Sequence, residues 1–188
     1  MPQRCMTRAL TSVLALIASF GTASAAETDI TIGMQLEPPH LDPTSAAAGA
    51  IDNVVYSNIF EGLTRFMGDG SVVPGLAKSW DISDDGLRYT FHLRGDVQFH
   101  DGTAMDAADV KFSLDRARAE DSTNAQKALF AGIADVAVID PLTVALTLEA
   151  PNGNLLFNLA WGDAVIVAPE TIETIKSNPV GTGAFRFV

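Results

Sequence analysis

AKSWDISDDGLRYTFHLRGDVQFHDG, residues 77–102, decides how this 188-residue sequence folds. Trp80 and Ile82 alternate with polar residues, and Asp84-Asp85-Gly86 supplies a tight hairpin turn. Leu87, Tyr89, Phe91 and Leu93 then fall on one strand face, with Arg88, Thr90, His92 and Arg94 on the other. Gly95-Asp96 turns the chain again, and Val97-Gln98-Phe99 runs into a second turn at His100-Asp101-Gly102. The pattern predicts a small antiparallel meander with one buried face, on which Trp80 belongs to the core.

Downstream the period changes. Asp106 is placed to cap a helix, Asp109 favours the helix's positive end, and Val110, Leu114 and Ala117 share a face. Residues 133–139, the Asp140-Pro141 turn and the alternating Val144, Leu146 and Leu148 predict a second hairpin. A short helix is expected over 154–160, a buried strand at Val165-Ile166-Val167, and a helix over 169–175 opened by Pro169. The sequence ends GTGAFRFV (181–188), where strand-like alternation has just begun.

Upstream, Ile51, Val54, Val55, Ile59 and Leu63 recur at helical spacing, with Gly62 at the expected stop. Before them, Ile30, Ile32 and Met34 alternate as a strand that runs into Glu37-Pro38-Pro39-His40-Leu41-Asp42-Pro43. Proline fixes φ and removes backbone donors, so this is a stiff extended loop. It is either a plain connector or, leaving the end of a core strand, a place to hold a ligand.

The first 25 residues read as a secretory leader. Arg4 and Arg8 precede the apolar run ALTSVLALIASF (9–20), and Ala23-Ser24-Ala25 offers small residues for cleavage. The run is shorter than the ~20 residues that span a bilayer. Cys5 lies before it, so the leader is not of the lipoprotein kind. Removing two arginines and no acid takes the net charge from −11 to −13. With 23 acids against 12 bases, the chain lacks the basic stripe that nucleic-acid binding requires. A single cysteine excludes an internal disulfide framework and a CxxC zinc site.

No GxSxG elbow, HExxH pair or phosphate-cradling glycine loop is present, and His40, His92 and His100 are scattered. His92 is expected on the solvent side of its strand, and His100 in a structural turn. The reading is therefore of a non-enzyme with no catalytic residues, no metal site and no cofactor. An exported hydrolase would need an activated nucleophile beside a base, and the sequence offers none.

The segment 77–102, with DAADVKFS (106–113) behind it, resembles the hallmark segment of family 5 extracellular solute-binding proteins, the peptide- and nickel-binding components of ABC importers. LEPPHLDP (36–43) is similar to the family's first cleft loop, VYSNIFEGLTRF (55–66) to its first long helix, and PVGTGAFRF (179–187) to its re-entry segment. Ala184 stands in that last motif where proline is usual.

The resemblance implies a mixed α/β (α+β) fold of the type II periplasmic-binding-protein kind, present in part. Residues 1–25 are the leader, 26–46 the N-terminal piece of lobe I, 47–165 a small inserted α+β domain, and 166–188 the re-entry into lobe I. A second lobe, carrying much of the ligand specificity, is expected after Val188, so the sequence is read as the first part of a longer protein. That part alone is expected to bind weakly or not at all.

The implied function is that of a monomeric periplasmic binder. It captures di- or oligopeptides in an interlobe cleft and delivers them to ABC permease subunits. Nickel or a metal chelate is the alternative cargo, and a receptor sensor module the alternative setting. Position in the family makes Glu37, Pro38, Pro39, His40 and Leu41 the first ligand candidates. Trp161, Gly162 and Asp163 follow, on the segment that returns towards the cleft. Trp161 can stack on a solute, or be a core tryptophan beside a glycine turn. Asp163 can pair with a ligand amine, or be simply solvated.

Overall fold

A computed structural model of the protein describes residues 29–45 and 48–188. The leader expected at 1–25 lies outside these residues. Residues 35–188 form one compact unit.

The centre of this unit is a four-stranded antiparallel sheet. β3 (Ala77–Ile82), β4 (Arg88–Leu93), β5 (Ile133–Asp140) and β6 (Thr143–Leu148) are ordered β3-β4-β6-β5, and a separate ribbon pairs β1 (Thr64–Phe66) with β2 (Val72–Pro74). The first hairpin turns where Gly86 takes φ +70°, a left-handed value that suits glycine. Register sets Trp80 opposite Phe91, with ring centroids 6.3 Å apart. Tyr89, Phe91 and Leu93 are buried as the alternation predicts, while Trp80 is half-buried and packs against the core from the edge strand.

α2 (Ala107–Arg118) covers the buried face with Val110, Leu114 and Ala117. Its start is the expected capping box: Asp106 Oδ1 accepts from Ala108 N–H at 2.7 Å, and Asp109 Oδ2 accepts from Asp106 N–H at 2.9 Å. The second hairpin also forms as expected. Its outer strand, β5, is an edge whose carbonyls are taken by α2: Arg118 donates to Ile133 O at 2.9 Å and Lys111 to Val136 O at 2.9 Å.

A second apolar cluster joins Ile51, Val55, Ile59 and Phe60 to Val165, Val167 and Ile175. Ile166 belongs to the first cluster, so alternate residues of 165–167 face opposite cores. That explains an apolar run without polar interruption.

Several expected elements differ. The helix expected through Leu63 is α1 (Gly49–Val55), seven residues long. Tyr56 turns extended (ψ 131°) and Ser57 takes φ +58°, so Ile59, Phe60 and Leu63 reach the core from a loop. The 97–99 segment is not a third strand of a meander. β4's second neighbour is β6, and the loop over Val97 and Phe99 closes with Phe99 N–H on Thr103 O and Met105 N–H on Val97 O. Residues 165–167 are buried but carry one bridge, Val165 with Gly62, in place of a strand.

The helix expected over 169–175 is a 3-10 turn, Pro169–Thr171, continued by turns. The short helix near 154–160 is α3 (Leu155–Asn158). Neither 30–34 nor 184–188 is a strand: a strand exists only when paired, and no ladder among the described residues includes either segment.

The GTG segment is nonetheless held tightly. Gly181 and Gly183 lie so close to the Ile59 and Asn58 carbonyls that a Cβ at either would overlap them. His100 clasps the same turn. Its Nε2 lies 2.8 Å from Gly183 O and its Nδ1 accepts from Gly181 N–H at 3.3 Å, while its own N–H donates to Gly181 O at 2.9 Å.

Candidate ligand-binding site

The segment 161–163 is positioned by α3. Leu155 and Leu159 are buried in the main core, and the chain then extends through Trp161 (φ −81°, ψ 157°) into a 3-10 turn at Gly162–Ala164. This leaves the Trp161 indole 38% exposed and draws Asp163 inside, at 7% exposure. The Asp163 backbone is fixed by Asn124, whose buried side-chain amide donates to Asp163 O at 2.8 Å.

A second carboxylate meets this turn. Asp52 comes from α1 and lies against Gly162: a Cβ there would be 2.5 Å from Asp52 Oδ1. Burial pushes the Asp163 carboxyl up to about 6, and the Asp52 charge adds to that rise. Burial raises Asp52 as well. Among the described residues, no Lys, Arg or His forms an ion pair with either carboxylate, and no side-chain or backbone donor of another residue hydrogen-bonds to either. Two close carboxylates are thus held in a partly desolvated place without a counter-charge, an arrangement that favours a proton or an incoming cation.

Aromatic rings gather around Trp161, at the start of the same turn. Tyr56 stacks on Phe66 (centroids 6.0 Å), Phe66 meets Phe157 (5.9 Å) and Trp161 (6.3 Å), and Phe157 meets Trp161 edge-on (6.1 Å, 81°). Tyr56 is pinned by its hydroxyl, which donates to Ala160 O. Phe66 and Phe157 are 38% and 39% exposed, so with Trp161 they present ring surface to solvent. Tyr56 also lines a cavity of about 90 Å³ with Glu61, Arg65 and Arg94.

The proline loop sits elsewhere. Leu41 N–H donates to Lys176 O at 2.9 Å, and the Leu41 side chain packs on the second cluster. Asp42, almost fully buried, accepts from Thr44 N–H at 2.8 Å and pairs with Arg116 of α2, which also donates to Thr44 Oγ1. His40 accepts from Asp42 N–H through Nδ1 at 3.2 Å. Glu37 and Pro39 are exposed and Pro38 is half-buried.

The structure therefore anchors 37–41 from its C-terminal end. No hydrogen bond among the described residues joins that loop to 161–163. Of the two candidate groups, Trp161-Gly162-Asp163 is the one that acquires a constellation. Its added members, Asp52, Tyr56, Phe66 and Phe157, are absent from the sequence-based candidates. The available signal for them was weak: one acid among the apolar residues of a helical stripe and aromatic residues in otherwise ordinary segments.

Comparison with known proteins follows from the same segments. The family model for bacterial extracellular solute-binding proteins, family 5 Middle, matches residues 71–188. The glutathione-binding protein GsiB of Pectobacterium atrosepticum is 40% identical over 152 residues, covering 79% of this chain and 29% of that protein. Among solved structures, NikZ from Campylobacter jejuni in complex with Ni(L-His) superposes with a TM-score of 0.71 at 33% identity, over 81% of this chain and 31% of that one. DppA from Helicobacter pylori in complex with peptide STSA gives 0.72 at 30% identity, over 79% and 34%. The chain spans about a third of the length of the relatives it matches.

Proposed function

The chain belongs to the bacterial extracellular solute-binding proteins of family 5, and from that membership we propose that it captures a small solute of the peptide class for an ABC importer. The observation that carries this reading is the family match over 71–188, to which the structure adds a cluster of partly exposed aromatic rings that includes Trp161. In this reading 1–25 is a cleaved leader, the mature protein works in the periplasm as a monomer, and its partners are permease subunits. Residues 26–46 and 166–188 belong to lobe I, and 47–165 form an inserted domain. A second lobe supplies the opposing wall of the cleft. Ligand contact is assigned to Trp161, Gly162 and Asp163, and to the stiff loop Glu37, Pro38, Pro39, His40 and Leu41.

Binding proteins of this design need no chemical step. A cleft closes when its ligand is bound more tightly in the closed state than in the open one. GsiB is named for glutathione, itself a peptide, and the DppA structure holds a tetrapeptide. The NikZ complex with Ni(L-His) supports a second reading, a metal chelate. Thermal denaturation of the two-lobed protein with short peptides and with nickel chelates decides between them. Saturable stabilisation by peptides is expected. Stabilisation by chelates alone overturns the peptide class, and stabilisation by neither overturns solute capture.

A further inference from the structure

We propose that Asn152 is a site of spontaneous covalent modification, where the side chain cyclises onto Gly153 and reopens as aspartate or isoaspartate. Asn152 is the one asparagine of the 188 residues that glycine follows. After every other asparagine the next residue carries a side chain, and after Asn178 it is proline, which has no N–H. The pair lies in the connector 149–154 between β6 and α3, with Asn152 half-buried and Gly153 exposed. A Cβ built at Gly153 meets nothing within 4 Å, so no neighbouring atom crowds this glycine. The Asn152 Oδ1 accepts from Asn154 N–H at 3.0 Å, while among the described residues its amide nitrogen donates to no partner.

The reaction needs only water. The Gly153 amide nitrogen gives up its proton and attacks Asn152 Cγ; the Cγ–Nδ2 bond breaks, and the nitrogen leaves with that proton as ammonia. The succinimide ring then takes up one water. Opening at Cγ leaves aspartate. Opening at the Asn152 main-chain carbonyl leaves isoaspartate, whose backbone runs through Cβ and Cγ and is one carbon longer. The two products load the connector differently. Asn152 O accepts from Leu155 N–H at 3.2 Å and from the hydroxyl of buried Tyr89 at 3.2 Å. Aspartate keeps both bonds and meets Asn154 N–H with a charged acceptor. Isoaspartate moves the carbonyl and loses both.

Three aspartates also precede glycine, Asp69, Asp85 and Asp101, and the same cyclisation is open to them by loss of water. The structure sets them apart. Their glycines hold φ of +83°, +70° and +90°, which fixes each turn in the left-handed region, whereas Gly153 lies outside it. Hydroxyl donors on Ser71, Ser83 and Thr103 hold the three carboxyls below the usual carboxylate range, and backbone N–H groups add to this. An ionised carboxylate repels the nucleophile and is a poor electrophile. The Asn152 side chain is a neutral amide, so it alone of the four stays reactive at neutral pH.

The test ages the full chain in mildly alkaline buffer and maps its peptides by mass spectrometry. Edman degradation, which stops at isoaspartate, tells the products apart. Conversion is expected at residue 152 and not at 69, 85 or 101, and it should quicken as pH rises because the attacking nitrogen must lose its proton. Gly153→Ala, whose added Cβ has room, should slow it about tenfold without lowering the melting temperature. The isoaspartate fraction, separated by chromatography, should melt several degrees below the fresh chain, while Asn152→Asp melts with it or above it. An Asn152 that stays intact in the folded chain but converts in urea would overturn the proposal, because the turn would then protect it. Equal conversion at 69, 85 and 101, or a rate unmoved by Gly153→Ala, would overturn it as well.

Discussion

Asp163 is the residue at which burial and charge oppose each other most directly. Its carboxyl is raised to about 6 by burial and then by Asp52, from an ordinary aspartate value of 3.8. The folded protein therefore takes up this proton before the unfolded chain does. Asp163 destabilises the fold above pH 6, and that penalty is relieved as pH falls from about 6 towards 4. Asp163→Asn is expected to raise the melting temperature by several degrees at pH 7.5 and to leave it unchanged at pH 4, read by circular dichroism at both. A variant no more stable than wild type at pH 7.5 removes the penalty from the account.

His100 works in the opposite sense, because each ring nitrogen has a backbone partner on the GTG turn. His100→Ala frees Gly181 N–H and Gly183 O together and should cost about 1–3 kcal/mol. Amide exchange at 181–183 should accelerate more than exchange in the β-sheet.

At the scale of elements, α2 organises the four-stranded sheet. Its capping box satisfies the first-turn donors, so Asp106→Ala should cost about 0.5–2 kcal/mol in urea denaturation. Asp106→Asn, which keeps an acceptor, should recover most of it. Beyond its own stability the helix shields an edge. Arg118 and Lys111 donate to carbonyls of β5, an edge strand otherwise open to another chain.

This helix and both hairpins were legible in the sequence because their signals are local: a cap, a period and a turn within a few residues. The 55–66 stretch was not. Ile59 and Leu63 continue a helical spacing, yet they are buried from a loop that Tyr56 and Ser57 open. Val165-Ile166-Val167 reads as a strand because it is apolar throughout, while the true cause is burial on two sides without pairing. The candidate site was half legible. Trp161 and Asp163 lie in one short segment, whereas Asp52 and Phe66 reach them from far upstream, a juxtaposition only tertiary packing produces.

For the unit 35–188 as a whole, the question is whether its two apolar clusters melt together. They share one stretch of backbone: Ala164, Ile166 and Ala168 belong to the first cluster, Val165 and Val167 to the second. Ser113 ties α2 to that stretch, accepting Val167 N–H at 2.9 Å while donating to Asp109 O at 2.8 Å. Loosening either cluster strands the alternate residues of the other, so the two should open as one cooperative unit. Native-state hydrogen exchange is expected to give the Phe60 amide, in the second cluster, the same opening free energy as Phe91 in the first. Ser113→Ala leaves the Val167 N–H buried without its acceptor and should lower both values by about 1–3 kcal/mol in parallel. A fall at Phe60 alone would mean that the clusters are separate folding units. The shared strip at 164–168 would then be a hinge between them, not a common wall.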